Sequence, residues 1–566
     1  MIDLLPHARV IDGLSIRFQL LFGKQKAQGR PGFALIGCGV MAAGALFVED
    51  FVAFIGIGFV LRGTDAAETE SQNPGERSLH SLIIEPVVRN LATIVSGADY
   101  IASLRGRNLK VWYMGERVAE PVDHPVIRPS VNAVARTYDL AVECPEMATA
   151  WSSLSNRRVN RFLHVTESVD DVVAQNKMQR RLGQLTGTCF QRCVGMDALN
   201  ALYSVTFKMP EPYHARFREF LVRMQEMNCT IGGAMTDPKG DRSKAPADQS
   251  DPDLFVRVVE RRADGIVIRG AKMHQTGCLN SHWIVVMPTM RLRPADRDYA
   301  VIAAIPVDHA GLSFIYGRQS CDTRAMEGGE IDQGNAQFAG QEAMILIDDV
   351  FVPNELVFMD GETEFAAELV ERFTAYHRRS YVCKTGLGDA LIGAAALIAD
   401  YNGVASASHV RDKLVEMTHL NETIYGAGIA ASHESHRTEA GNYQPDDLLA
   451  NVCKHNVTRF PYELARLAQD LAGGLVATLP SEKDFDNPET GPLLRKYLRG
   501  RDGVRVEDRA RVLRLIENMT LGRNAVGYLT ESMHGAGSPQ AQRIQIARQM
   551  KLEEKKELAK SLAGIK

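Results

Sequence analysis

Apolar positions along the chain change their spacing twice. From Ala98 to about Met227 they recur three and four residues apart, as in Val131 to Val142 and Val169 to Leu202, the spacing that gives a helix one apolar face. Between Cys229 and Leu356 short β-branched runs take over: Gly265 to Arg269, Trp283 to Met287, Tyr299 to Val307, Leu312 to Tyr316 and Ala343 to Phe351. Gly, Asp, Asn and Pro separate these runs, which predicts strands joined by turns in a compact antiparallel β domain. Helical spacing returns from Glu362, in Phe365 to Tyr381, Asp389 to Asp400, Leu448 to Ala472 and Val506 to Asn518. The fold class expected from this order is α+β, with a helical domain over 96–228, a β domain over 229–360 and a helical domain over 361–566. The polar run Asp484 to Asp502 predicts a surface loop.

Residues 1–95 read as an extension to that pattern. Pro31 to Val48 holds no charged residue and follows Arg9, Arg17, Lys24, Lys26 and Arg30, the layout of a membrane-directed segment. Gly and Ala dilute it, and Glu49 and Asp50 interrupt it at the lower edge of the length that spans a bilayer. Two readings stay open, a membrane-associated extension and an artefact of an upstream start site. A chain of 566 residues can bury a large core. Its 65 Lys and Arg against 69 Asp and Glu leave a net charge of -4, so no basic excess points to nucleic acid, and a small-molecule ligand is expected. The 9 cysteines lack the dense pairing of a disulfide scaffold, which favours a reducing, cytoplasmic setting.

Two clusters could carry chemistry. Cys189-Phe-Gln-Arg-Cys193 lies in a helical pattern, where positions four apart share a face and two thiolates could bind one metal centre. The same cysteines continue an apolar stripe through Leu182, Leu185 and Met196, so taken alone they read first as small buried hydrophobes and second as a ligand pair. The second cluster, His377-Arg-Arg-Ser-Tyr-Val-Cys383 with Lys384, gathers an imidazole, a phenol, a thiol and an amine. Its alternative is a core histidine on the stripe Leu369, Phe373, His377, Tyr381. Glu342 and Glu531 are candidate acids or bases if buried beside a substrate, and solvated carboxylates otherwise. Gly386-Leu-Gly-Asp-Ala-Leu-Ile-Gly393 lacks the spacing of a nucleotide-binding loop and reads as helix packing.

Longer stretches add a resemblance: Asp123 to Ser130, Cys189 to Leu199, Gly233 to Arg242, Arg269 to Gly277, Gly317 to Arg324 and Glu531 to Arg543. From about Ala98 to Lys566 the chain closely resembles the flavin-dependent 4-hydroxyphenylacetate 3-hydroxylase family, and within it the branch of 4-hydroxybutyryl-CoA dehydratases. The resemblance implies an acyl-CoA dehydrogenase-like fold, a homotetramer in the cytoplasm, and two cofactors, FAD and a four-iron, four-sulfur (4Fe-4S) cluster. It implies dehydration of a coenzyme A thioester, 4-hydroxybutyryl-CoA, to crotonyl-CoA by a flavin radical mechanism with the cluster as Lewis acid, together with vinylacetyl-CoA isomerase activity. By position it makes Cys189, Cys193, His377 and Cys383 the cluster ligands and Glu342, Tyr381, Lys384 and Glu531 active-site residues, with His377 also the base. Thr276, Lys272, Gly473 and Gly474 correspond to flavin contacts. The alternatives are an aromatic hydroxylase of the same family and an inactive paralogue without the cluster.

One spacing departs from the family pattern. Five residues separate His377 from Cys383 where the family has six. At about 100° per residue, six helical steps leave two side chains about 120° apart, whereas seven return them to one face. If both groups face one cluster, the helix between them must tighten or break.

Overall fold

Ser96 starts the first helix with a reciprocal capping box to Asp99, and the computed structural model describes the chain from just before this point, over residues 93–318 and 323–566. The uncharged run Pro31 to Val48 and much of Gly317 to Arg324 lie outside the described residues. The leading elements are α1 (Gly97–Leu104), the hairpin β1 (Val111–Tyr113) and β2 (Glu116–Val118), α2 (Arg128–Glu143), and the hairpin β3 (Thr149–Ser152) and β4 (Arg157–Asn160). Three helices follow, α3 (Val169–Thr186), α4 (Cys193–Lys208) and α5 (Tyr213–Met227). The expected single helical run from Val169 to Leu202 is therefore two helices. Ser168 caps α3 at its start, and Gly187, in the left-handed conformation at φ 58°, ends it.

The strand-rich middle comprises β5 (Ile231–Ala234), β6 (Arg257–Arg262), β7 (Gly265–Thr276), β8 (Trp283–Val286), β9 (Val301–Pro306), β10 (Leu312–Tyr316), β11 (Glu342–Pro353) and β12 (Val357–Asp360). They form a six-stranded sheet in the order β2-β1-β10-β11-β7-β6 and a four-stranded sheet in the order β12-β9-β8-β5. Two pairings depart from the all-antiparallel expectation: β1 runs parallel to β10, and β5 parallel to β8. Neither pair is joined by a tight turn, so no hairpin forces them antiparallel.

After the sheets come α6 (Ala366–Ser380), α7 (Cys383–Tyr401), α8 (Ser408–His433), α9 (Asp447–Val457), α10 (Phe460–Ala472), α11 (Val506–Thr520), α12 (Pro539–Gln549) and α13 (Leu552–Leu562). Within Thr363–Tyr401 an 18-residue stretch reaches a mean hydropathy of 1.5, apolar enough to cross a membrane, but 67% of that stretch is buried inside the protein and serves as core. The expected loop from Asp484 to Asp502 carries two short helices, Glu482–Asp486 and Gly491–Tyr497. A Ser481–Asp484 capping box and the buried Phe485 ring hold the first of them.

Two features set the geometry of the site. A Cβ at Gly183 would lie 2.4 Å from the Cys383 carbonyl oxygen, and one at Gly386 would lie 2.2 Å from that of Arg180, so α3 and α7 cross backbone to backbone. The Gly386 to Gly393 segment is thus helix packing. Between α6 and α7 the chain leaves the α-helix at Tyr381 and Val382, where Tyr381 N donates to Arg378 O at 3.4 Å and Val382 N to Arg379 O at 3.3 Å. These bonds span three residues, the tightening that the His377–Cys383 spacing calls for.

Candidate active site at a cysteine-lined cavity

The loop between α3 and α4, the end of β7, the α6–α7 break and Glu531 border a partly open cavity with about 290 Å³ of empty space, the part open to solvent included. Cys189, Cys193, His377 and Cys383 all line it, along with Thr276, Tyr381, Lys384 and Glu531. Cys189 and Cys193 do not reach it from one helical face, as their spacing suggested. Cys189 sits in the loop that follows Gly187, the intervening Gln191 takes a left-handed φ of 69°, and Cys193 is the first residue of α4. The apolar three-and-four spacing runs across this interruption because the loop is itself buried, with Phe190 1% exposed.

His377 uses both of its sequence readings. Its ring stacks on Phe373 with centroids 5.3 Å apart and meets Tyr381 edge-on at 5.2 Å, as a core residue would. It also borders the cavity, and its Nδ1 lies 2.8 Å from Asp197 Oδ2. An ionised carboxylate only accepts hydrogen bonds, so it selects the neutral tautomer with the proton on Nδ1, the form in which Nε2 offers its lone pair to the cavity. Asp197 Oδ1 accepts Ser380 Oγ at 2.9 Å and lies 3.8 Å from Arg379 Nη2. Sequence reasoning missed Asp197. The available signal was a carboxylate four residues after Cys193, inside a helix whose neighbours are almost all apolar.

The charges around the cavity are unequal. Burial and the Glu531 charge push the Cys189 thiol up, and burial and Cys383 do the same to Cys193. Cys383 is held below the ordinary thiol value by a hydrogen bond from Cys193, aided by the Lys384 charge. Burial opposes the Lys384 ammonium, but Glu531, Cys383 and Cys189 outweigh it and raise its pKa. Lys384 Nζ reaches Glu531 Oε2 at 3.1 Å and the Gly527 carbonyl at 2.8 Å. Glu342, the first residue of β11, accepts Thr276 Oγ1 at 2.6 Å, and burial together with the Glu531 charge lifts it well above the carboxylate range. Tyr381 Oη donates to the Glu531 carbonyl at 3.4 Å, and burial with the Glu531 charge keeps the phenol protonated. Lys454, also missed from sequence, is fully buried with Nζ 3.8 Å from the Tyr381 ring centroid.

The remaining sequence candidates fall elsewhere. Lys272 lies away from this cavity with its ammonium fully engaged by Met235 O and Met287 O at 2.8 Å each and by Asp237 Oδ1 at 2.9 Å. Gly473, at φ 71°, and Gly474 follow α10 on the surface, where an added Cβ would meet nothing within 4 Å. Among the described residues, no three His, Cys, Asp or Glu side chains converge closely enough to hold a single metal ion.

Helices on either side of a strand-rich middle, with thiols, an imidazole, an amine and a carboxylate closing on one cavity, define an α+β enzyme scaffold. The chain belongs to the 4-hydroxyphenylacetate 3-hydroxylase family, whose N-terminal pattern matches residues 96–359 and whose C-terminal pattern matches 366–564. It is similar to the 4-hydroxybutyryl-CoA dehydratase/vinylacetyl-CoA Δ-isomerase of Clostridium aminobutyricum, 56% identical over 489 residues that cover 84% of this chain and 100% of that one. A solved oxygen-tolerant archaeal 4-hydroxybutyryl-CoA dehydratase from N. maritimus is 68% identical, with a TM-score of 0.83 over 84% of this chain and 96% of its own. The oxygenase component of 4-hydroxyphenylacetate 3-monooxygenase, solved in complex with FAD, shares the fold at 24% identity and a TM-score of 0.73, over 82% of this chain and 98% of its own.

Proposed function

We propose that this chain is a lyase that dehydrates 4-hydroxybutyryl-CoA to crotonyl-CoA and isomerises vinylacetyl-CoA at the same site, using FAD and a 4Fe-4S cluster. The observation that carries this reading is the meeting of Cys189, Cys193, His377 and Cys383 on one cavity, in a chain 56% identical to a dehydratase/isomerase. The donor set suits a cluster. Three thiols and an imidazole can serve four irons, and because those irons sit at separate corners, their ligands must surround a volume rather than meet at a point. That agrees with donors that border this cavity without converging as a single-ion site does. Thr276, at the cavity edge, would meet the flavin ring. The exposed Gly473 and Gly474 would contact the flavin of a neighbouring subunit in a homotetramer.

When bound, FAD would supply reversible one-electron chemistry and the cluster a Lewis-acidic iron. The chain's own groups handle protons and position. His377 Nε2, with Nδ1 tied to Asp197, is either a ligand or a base for the proton on carbon two of the thioester. Tyr381 and Glu342, both held protonated by burial, are proton donors for the departing hydroxyl. Glu531, paired with Lys384, is placed to relay a proton beside Cys189, whose Sγ is 3.7 Å from its Oε1.

The test is an anaerobic assay of 4-hydroxybutyryl-CoA conversion to crotonyl-CoA by the full chain and by Cys193→Ala, with iron and sulfide measured in both. The wild type is expected to turn over with iron and sulfide bound, and the variant to lose both. A fully active Cys193→Ala without iron would overturn the assignment of the ligands and of the cluster.

A further inference from the structure

The strongest group outside the machinery named so far is Lys454 on α9, which does not line the cavity yet touches Tyr381, which does, and Ser532, the residue after the cavity-lining Glu531. Its side chain is 0% exposed, and Nζ donates to the Ser532 carbonyl while lying 3.8 Å from the Tyr381 ring centroid. The carbonyl matters because of where Ser532 sits. The chain from Val526 to Thr530 is a π-helical turn, in which Glu531 N bonds back to Val526 O, and Glu531 begins the next short helix. Such turns widen a helix and shift its hydrogen-bond register, leaving carbonyl groups that need other donors. A buried lysine supplies one of them, Lys384 bonding Gly527 O at 2.8 Å, and on the other side of Glu531 Lys454 bonds Ser532 O in the four-residue helix that follows the turn. One turn earlier on α9, Asn451 Oδ1 accepts Arg378 Nη1 at 2.7 Å, and Arg378 Nε donates to Ala536 O at 3.1 Å, so the same helix braces the chain beyond Glu531.

We infer that Lys454 is a positioning residue for the proposed reaction: by bonding Ser532 O it clamps the short helix that follows the π-helical turn, so that the Glu531 carboxylate is held at the cavity. The inference rests on the dehydratase reading above. It does not depend on the charge of the amine, since an N–H donates to a carbonyl in either state. Lys454 acts through Glu531, so its removal costs turnover more than binding and has little left to cost once Glu531 is disabled.

The experiment compares wild type, Lys454→Met, Glu531→Gln and the double variant as holoenzymes on 4-hydroxybutyryl-CoA, reading kcat and KM separately. Lys454→Met is expected to lower kcat about 10–100-fold, the range that follows a misplacement of about 1 Å, with KM within about threefold. The double variant is expected to fall no more than about threefold below Glu531→Gln alone. Independent, multiplying losses would overturn the inference, as would an unchanged kcat or a loss carried by KM. Lys454→Gln, which keeps an N–H donor on a shorter stem, covers the case in which the methionine variant does not fold: the same kcat-selective loss in smaller degree supports the clamp, and a loss in KM alone refutes it. A wild-type enzyme that does not turn over the thioester refutes the dehydratase reading instead, which keeps the two failures apart.

Discussion

Asp197→Asn separates what the site's scaffold needs from what its chemistry needs. Asp197 is 0% exposed, accepts His377 Nδ1 at 2.8 Å and Ser380 Oγ at 2.9 Å, and lies 3.8 Å from Arg379 Nη2. The substitution keeps the volume and one acceptor oxygen while removing the charge. An ion pair at this separation is worth about 4 kcal/mol at an effective dielectric of about 20. The neutral amide recovers part of that through cheaper burial, so a net loss of about 3 kcal/mol is expected, the low end for breaking a buried pair. Whole domains are stable by only about 5–15 kcal/mol, so the shift is readily measured. The chemical effect is distinct. An amide can donate as well as accept, which admits the tautomer with the proton on His377 Nε2, where the ring can neither bind metal nor take a proton. Losing the partner behind a metal-binding histidine costs about 10–100-fold in metal affinity or activity. Iron content, kcat and the urea midpoint, measured on one anaerobic preparation, resolve the two effects. Wild-type iron and kcat in a destabilised variant would refute the tautomer argument, and an unchanged midpoint would refute the dependence of Arg379 on this carboxylate.

Gly535→Ala is expected to cut kcat about 100-fold and to cost about 1–3 kcal/mol of stability, because the new Cβ would sit 1.7 Å from the buried Tyr381 Oη and must push the phenol aside; wild-type kcat would show that the position of Tyr381 is not required. His214, between Tyr203 and Phe207, is pushed down to about 4 by burial and the Arg218 charge. Its folded state therefore refuses a proton that the unfolded chain takes up below about pH 6.5, and stability falls as pH drops from there to about 4. His214→Gln should flatten that part of the urea-midpoint profile, and an unaltered slope would rule His214 out as its source.

How far the fold could be read from sequence follows from how local each signal is. The β-branched runs at Gly265, Trp283, Tyr299, Leu312 and Ala343 fall in observed strands, because side-chain alternation and turn residues are local. The parallel neighbours β1 and β5 were not legible, since the partner of a three- or four-residue strand is chosen by the tertiary fold. The loop at 187–192 was hidden because its buried side chains continue the apolar spacing of α3. By contrast the break at Tyr381 and Val382 could be argued beforehand, because helical register is arithmetic. Asp197 and Lys454 escaped for a shared reason: a single charged residue on a helix reads as solvated until the elements around it are known.

The interruption between α6 and α7 also means that the separation of His377 from Cys383 is set by where two helices are anchored, not by a count along the chain. With α7 pinned against α3 through Gly183 and Gly386, a residue gained or lost at Tyr381–Val382 is expected to change the tightness of the turn before it displaces α7. A search keyed to fixed spacing would pass over such relatives. One keyed to the glycine crossing that holds the second helix in place would find them.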